Sequence, residues 1–264
     1  MFSGYKNTIL EFEQVNFSYN RDKPFIKDMS FSIGNGEFVG LLGANGSGKS
    51  TILKLASGIL KTSDGNINIW GKHIQSYKNK DRAKLLNYLP QILDMQIPFT
   101  VKELVSMGLY PYDILPELTV HEAIEMVGLT DKTESLITKL SGGERRRVYI
   151  AMTLLQGAGL VLLDEPLANL DIKYQIELLR LLKELRNKRG IAVVMALHDI
   201  NIALQFEKIM LIKEGEILCF GNPETVLTED LLKQAFDVDV EIIRPQANPP
   251  RRKRQDYGEV YIKY

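Results

Sequence analysis

The chain has 264 residues, one cysteine, and 33 basic side chains balanced by 33 acidic ones. That length suits one large domain or two closely packed ones, and the 45% apolar content is ample for a core. A single cysteine excludes an internal disulfide framework and fits a reducing compartment, and the cancelled charge argues against a dedicated nucleic-acid binder.

No basic segment followed by an apolar stretch opens the chain, so no signal peptide is expected. Apolar runs such as residues 191–197 are too short to span a bilayer. Residues 9–12 and 15–19 read as strands, partly alternating and rich in aromatic and aliphatic side chains. Residues 29–33 alternate more cleanly, and Gly34, Asn35 and Gly36 then make a turn. Residues 37–42 form a largely apolar run, as expected of a strand buried on both faces.

That run leads directly into Gly43, Ala44, Asn45, Gly46, Ser47, Gly48, Lys49 and Ser50, followed by Thr51. The spacing is G-x-x-x-x-G-K-[ST] in full, between a strand and a helix expected over residues 52–58. Glycines allow backbone amides to turn inward around phosphate oxygens, and the following helix adds its free N-terminal amides. Lys49 is placed to neutralise β- and γ-phosphates, and Ser50 to ligate Mg²⁺. The motif alone implies a nucleotide and no particular machine.

Residues 63–65 turn into a short strand at 66–70. From about residue 93 to 156 the spacing is helical, clearest over 101–107, 120–127 and 144–155. No Gly/Ser linker isolates this stretch, so a helical subdomain inserted in the core is expected. Strand character returns at residues 160–163 and 191–197, with an amphipathic helix over 176–185 between them. Strands alternating with helices predict a mostly parallel sheet. The strand at 160–163 runs into Asp164 and Glu165, and ligands gather beyond the carboxyl ends of such strands. Asp164 is expected near Mg²⁺, and Glu165 is suited to polarise the attacking water. The tail holds Pro249, Pro250 and the basic run Arg251, Arg252, Lys253 and Arg254, a composition typical of a solvated tail.

Leu140, Ser141, Gly142, Gly143 and Glu144 precede a helix and offer a second anion site through Ser141, the glycine amides and the helix N-terminus. Here the sequence resembles the ABC ATPase family, because LSGGE between a phosphate loop and a strand-Asp-Glu segment is a form of that family's signature. The resemblance covers roughly residues 8–240. It implies an α/β fold: a P-loop NTPase core with a mixed, largely parallel sheet, an antiparallel β part and an inserted α-helical subdomain. It divides the chain into a core of residues 1–92 and 157–240, a helical subdomain of residues 93–156 and a tail of residues 241–264. ATP and Mg²⁺ are the implied cofactors. The implied assembly is a homodimer with ATP at the interface, in which Ser141, Gly142 and Gly143 meet the ATP held by the other subunit.

The resemblance also gives roles to residues that no local chemistry would single out. Tyr19 matches the aromatic that stacks on adenine. Gln91 looks like the glutamine that senses Mg²⁺ and water. Asn169 and Asp171 lie in what looks like the loop crossing the dimer interface. His198 matches the switch histidine at the γ-phosphate. The chain departs from the commoner pattern at Glu144, Arg146, Leu167 and Asn169.

The short distance from Lys49 to Ser141 leaves no room for a long coiled-coil arm, which disfavours the chromosome-maintenance branch. Residues 107–112, 195–201, 220–224 and 235–240 look like ATPases of importers for iron-siderophores, haem and cobalamin. Importers of zinc, manganese or molybdate share parts of that pattern, and a soluble ATPase of iron–sulfur assembly is a further alternative. The implied partners are two membrane permease subunits, docked near residues 91–112, and a substrate-binding protein on the permease. The implied location is the cytoplasmic face of the membrane, with no specific nucleic acid bound.

Overall fold

Two hydrophobic patterns, alternation along strands and 3.6-residue spacing along helices, sort the chain into two sheets and a helical flank. The computed structural model describes residues 7–20, 23–91, 98–114, 116–168 and 170–242. Asn169 and the Arg251, Arg252, Lys253 and Arg254 run lie outside them. In chain order the first elements are β1 (Thr8–Phe17), β2 (Ile26–Gly34), β3 (Phe38–Leu42), α1 (Lys49–Ala56), β4 (Asp64–Ile69) and β5 (Lys72–His73). Next come α2 (Asn79–Leu85), β6 (Leu86–Leu89), α3 (Val101–Ser106), α4 (Val120–Met126), α5 (Gly142–Gln156) and β7 (Leu160–Leu163). Then follow α6 (Ile172–Arg189), β8 (Ala192–Leu197), α7 (Ile200–Ala203), β9 (Lys208–Lys213), β10 (Glu216–Gly221), α8 (Pro223–Val226) and α9 (Glu229–Phe236).

One sheet has the order β2-β1-β4-β5 and is antiparallel throughout. The other has the order β10-β9-β3-β8-β7-β6, parallel except for the β10–β9 pair. The two strands expected at 9–12 and 15–19 are one strand. Gln14 takes a left-handed φ of 49°, and the β1 register shifts between Phe12 and Val15, so a bulge breaks the alternation without ending the pairing. Strand β1 stops at Phe17, which leaves Tyr19 just beyond it.

Every residue of β3 is buried, and alternate ones feed different cores. Phe38 and Leu42 join Leu163, Met195 and Leu197 on the face covered by α3, α4, α5 and α6. Val39 and Leu41 join Leu162, Val194 and Ala196 on the face shared with α1 and the antiparallel sheet. Parallel strands covered on both faces read as continuous apolar runs for this reason.

Helices α3 and α4 and the 3₁₀ turn Met107–Leu109 pack on α5. Gly108 makes the close approach possible: a Cβ there would sit 2.6 Å from the backbone oxygen of Met152. Both short helices start on capping boxes, Thr100 with Glu103 and Thr119 with Glu122. Helix α5 starts the same way, on Ser141 and Glu144, and ends at Gly157 in the left-handed region. At its far end Gln156 donates to the backbone oxygens of Ala83 and Leu86 and accepts from Asn87, while the Tyr112 hydroxyl donates to the Gln156 carbonyl. Among the described residues no helix is long and apolar enough to cross a membrane.

Candidate functional site

Strands β3, β8, β7 and β6 are parallel neighbours, so their carboxyl ends open on one edge of the sheet. Leu42 is followed by the glycine-rich loop, Leu197 by His198, Leu163 by Asp164 and Glu165, and Leu89 by Pro90 and Gln91. Register alone therefore gathers four distant segments at one edge, where open α/β sheets bind ligands. They border a cleft of about 310 Å³ lined by Phe25, residues 45–51, Gln91, Glu165 and His198. That volume falls at the lower end for small-molecule sites.

The loop is built for close approach. A Cβ on Gly43 would lie 2.2 Å from the Ile212 carbonyl oxygen and 2.8 Å from Ser47 Oγ. Gly48 precedes α1 at φ 114°, a conformation that L side chains rarely adopt, and no side chain caps the helix. Helix α1 begins at Lys49, not at residue 52, so Lys49, Ser50 and Thr51 form its first turn. Lys49 is buried and donates from Nζ to the carbonyls of Gly43 (2.7 Å) and Ala44 (2.9 Å). Burial pushes its ammonium pKa down, against the pull of Glu165 and Asp164. Ser47 Oγ is buried with no hydrogen-bond partner. A polyphosphate fits this cradle: it would accept from the orphaned hydroxyl and the uncapped amides, and it would draw Lys49 off the loop carbonyls.

Asp164 accepts from Ser50 Oγ at 2.9 Å and from the Tyr88 hydroxyl at 3.2 Å. Burial pushes the Asp164 carboxyl pKa up, the two hydrogen bonds oppose this, and the neighbouring Glu165 charge adds to it. Burial also raises the Tyr88 hydroxyl, helped by Asp164. Ser50 and Asp164 thus present oxygen donors side by side, the chemistry a hard cation such as Mg²⁺ takes when substrate phosphates complete its shell.

Glu165 is buried and has φ 51°. Its Oε2 accepts from Gln91 Nε2 and lies 2.5 Å from His198 Nε2. His198 is half exposed to the cleft. One carboxylate is thus bracketed by a neutral amide and an imidazole at the mouth of the phosphate loop, an arrangement able to orient and deprotonate a water.

Tyr19 stands at the rim, 58% exposed, with its hydroxyl 2.8 Å from Thr51 Oγ1. Its ring meets Phe17 edge-on at 4.8 Å and Phe25 at 5.6 Å, leaving an open aromatic surface. Ser141, Gly142 and Gly143 do not line the cleft of their own chain. Ser141 is exposed at the start of α5 and accepts from the Glu144 amide. The Lys132 ammonium and the Ser141 amide hold the Glu144 carboxyl down at about 2. Asp171 is exposed as the residue before α6, with no side-chain cap.

Three residues in or around the site take no role from the sequence. Phe25 and Tyr88 carry no motif. Arg146 is, in the sequence, only a departure from the commoner pattern, yet its guanidinium reaches the backbone on both sides of Glu165: Nε donates to Pro166 O (2.6 Å), one terminal nitrogen to Gln91 O (3.0 Å), and the other to Asp164 O (3.0 Å) and Glu165 O. Nothing short of the fold would have found those contacts.

A family profile described as ABC transporter matches residues 26–168. The iron(3+)-hydroxamate import ATP-binding protein FhuC of Bacillus subtilis is 39% identical over 91% of this chain and 93% of its own. The petrobactin import ATP-binding protein FpuC of Bacillus anthracis is 40% identical over 85% of each chain. The hemin import ATP-binding protein HmuV of Shewanella denitrificans is 37% identical over 90% of this chain and 97% of its own. An ATP-binding cassette solved as a dimer in a post-hydrolysis state with ADP and Pi superposes with a TM-score of 0.74 at 27% identity, over 81% of this chain and 99% of that one. On the motif geometry and these similarities together, the chain belongs to the ABC transporter family and is one of its ATP-binding, ATP-hydrolysing members.

Proposed function

We propose that this chain is the ATPase subunit of an importer for an iron-siderophore, haem or cobalamin-type substrate. The observation that carries the catalytic part is the convergence of Gln91 and His198 on Glu165, beside the Ser50–Asp164 pair and the Lys49 cradle. Gly43, Asn45, Gly46, Ser47, Gly48, Lys49, Ser50 and Thr51 hold the phosphates, and Tyr19 offers its face to the adenine. Ser50 and Asp164, with Gln91 nearby, would hold Mg²⁺, which would supply charge neutralisation to the bound phosphates. Glu165 takes a proton from the attacking water, and His198 and Gln91 fix its orientation.

The chain works as a homodimer. The exposure of Ser141, away from its own cleft, supports a site completed by Ser141, Gly142 and Gly143 of a second copy, with Asn169 and Asp171 at the seam. The related cassette solved as a dimer with ADP and Pi supports the pairing of two copies. The chain divides into a nucleotide-binding core of residues 1–92 and 157–240 and a helical subdomain of 93–156, a division supported by the packing of α3 and α4 on α5. Two permease subunits dock on that subdomain, so the ATPase sits at the cytoplasmic face of the membrane. A substrate-binding protein delivers cargo to the permease.

The import class is supported by the names of the relatives, which act in hydroxamate, petrobactin and hemin import. The test is uptake of ⁵⁵Fe from ferric hydroxamate, petrobactin and haem by cells lacking this chain, with and without a plasmid copy. One of the three should fall to background and return with the plasmid. Normal uptake of all three, with vitamin B12 uptake also intact, would remove the importer assignment.

A further inference from the structure

We infer that Arg146 is a positioning residue for Glu165, through which the Ser141 end of α5 governs the carboxylate of its own chain. The inference rests on the composite-site proposal above and adds the link between its two halves.

Arg146 lies on the second turn of α5, one turn from Ser141, and is 7% exposed. Its four hydrogen bonds all end on backbone carbonyls, those of Gln91, Asp164, Glu165 and Pro166. They engage four of the five N–H donors that a guanidinium carries. The bonded segments follow β6 and β7 and carry the two residues that meet at Glu165 Oε2. A planar fork with several fixed donors can join two loops in one geometry, which a point charge cannot.

Glu165 itself needs such a hold. Its φ of 51° is sparsely populated for a side chain of that kind and persists only where the surroundings over-determine it. Arg146 grips the carbonyls of the residue before it, of Glu165 itself and of the residue after it. Arg147, next in sequence and equally buried, makes the contrast. It donates to Val127 and Gly128 and stacks on the Tyr174 ring at 3.9 Å, bonding neither loop. Two adjacent arginines on one helix thus divide the work: Arg147 packs α5 on its neighbours, and Arg146 ties it to the residues around the reacting water.

The consequence is a route between the two ATP sites of the dimer. Ser141 addresses the nucleotide of the opposite subunit, while Glu165 acts on the nucleotide of its own. A displacement of α5 at Ser141 reaches Glu165 through the Arg146 guanidinium.

A double-mutant cycle on the full chain tests this, with R146M, E165Q and R146M/E165Q read by steady-state and single-turnover ATP hydrolysis and by gel filtration with Mg-ATP. R146M should lower kcat about 10²-fold, the scale of a roughly 1 Å misplacement, with ATP affinity within about twofold. In the E165Q background the same substitution should lower the residual rate by less than about threefold, because its target is already gone. R146M should also accumulate the ATP-bound dimer, as is expected of E165Q. An equal loss in both backgrounds, a dimer that fails to form, or an unchanged kcat in R146M overturns the inference. R146Q, which keeps two donors, takes the place of R146M in the cycle if the methionine variant does not fold. An E165Q chain with undiminished turnover would instead defeat the assignment of Glu165 as base and leave the Arg146 contacts unexplained.

Discussion

Replacing Glu165 by glutamine isolates charge from shape. The carboxylate is buried, and its Oε2 meets both the Gln91 amide and His198 Nε2. Glutamine fills the same volume and keeps one oxygen able to accept, so the loop held by Arg146 stays in place. It removes the base and one negative charge beside the phosphates. Loss of a positioned general base costs about 10²–10⁴ in rate, which is about 3–5.5 kcal/mol at 1.36 kcal/mol per factor of ten. Nucleotide affinity should hold or tighten, because an anion no longer faces the γ-phosphate. The assay is phosphate release at saturating Mg-ATP, paired with gel filtration to detect a dimer that forms with ATP and does not turn over. A kcat within about threefold of the parent would refute the assignment of Glu165 as base, whatever the dimer does.

Two further outcomes concern the elements that carry the site. Glu144 has its carboxyl held down at about 2, chiefly by the Lys132 ammonium and then by the Ser141 amide. A depressed folded-state pKa stabilises above the unfolded value of about 4.3 and is lost as pH falls toward the folded one. Glu144→Gln should therefore melt below the parent at pH 7, and the gap should close between about pH 4.3 and 2; a gap independent of pH would deny the Lys132 pairing. Gly108→Ala places a methyl 2.6 Å from the Met152 carbonyl oxygen, where backbone of α5 must yield. Overpacking of this kind costs about 1–3 kcal/mol, read as a lower urea midpoint at unchanged slope; an unchanged midpoint would mean that the Met107–Leu109 turn can move off α5 freely.

What could be read in the sequence was what is local. The phosphate loop, the acids after β7 and the histidine after β8 each sit within a few residues of a strand end. A parallel sheet then brings them together without further instruction. The two capping boxes at Thr100 and Thr119 are equally local, legible as T-x-x-E spacings at the starts of α3 and α4. The bulge at Gln14 was not legible, because its left-handed φ falls on a residue with no preference for it. Strand β6 was missed for a different reason: four residues following directly on α2 give no period to detect. Arg146 marks the firmest limit. It recognises carbonyls, which every residue has, 18 to 55 positions away in the chain. No pairing of side-chain types betrays such a contact.

The hydrogen bonds at the far end of α5 bear on how this molecule can move. Gln156 and Thr153 fasten the helix to Asn87 and to the backbone before β6, while Arg146 fastens it beyond the ends of β6 and β7. The two anchorages are ten residues apart, about 15 Å along the helix axis. A rod pinned at two such points cannot swing about either one. Helix α5 is therefore tied to the sheet edge at both of these points, with α3 and α4 packed on it. Its amides should exchange with solvent on the timescale of β6 and β7, even where Gly108 brings the neighbouring turn against its backbone.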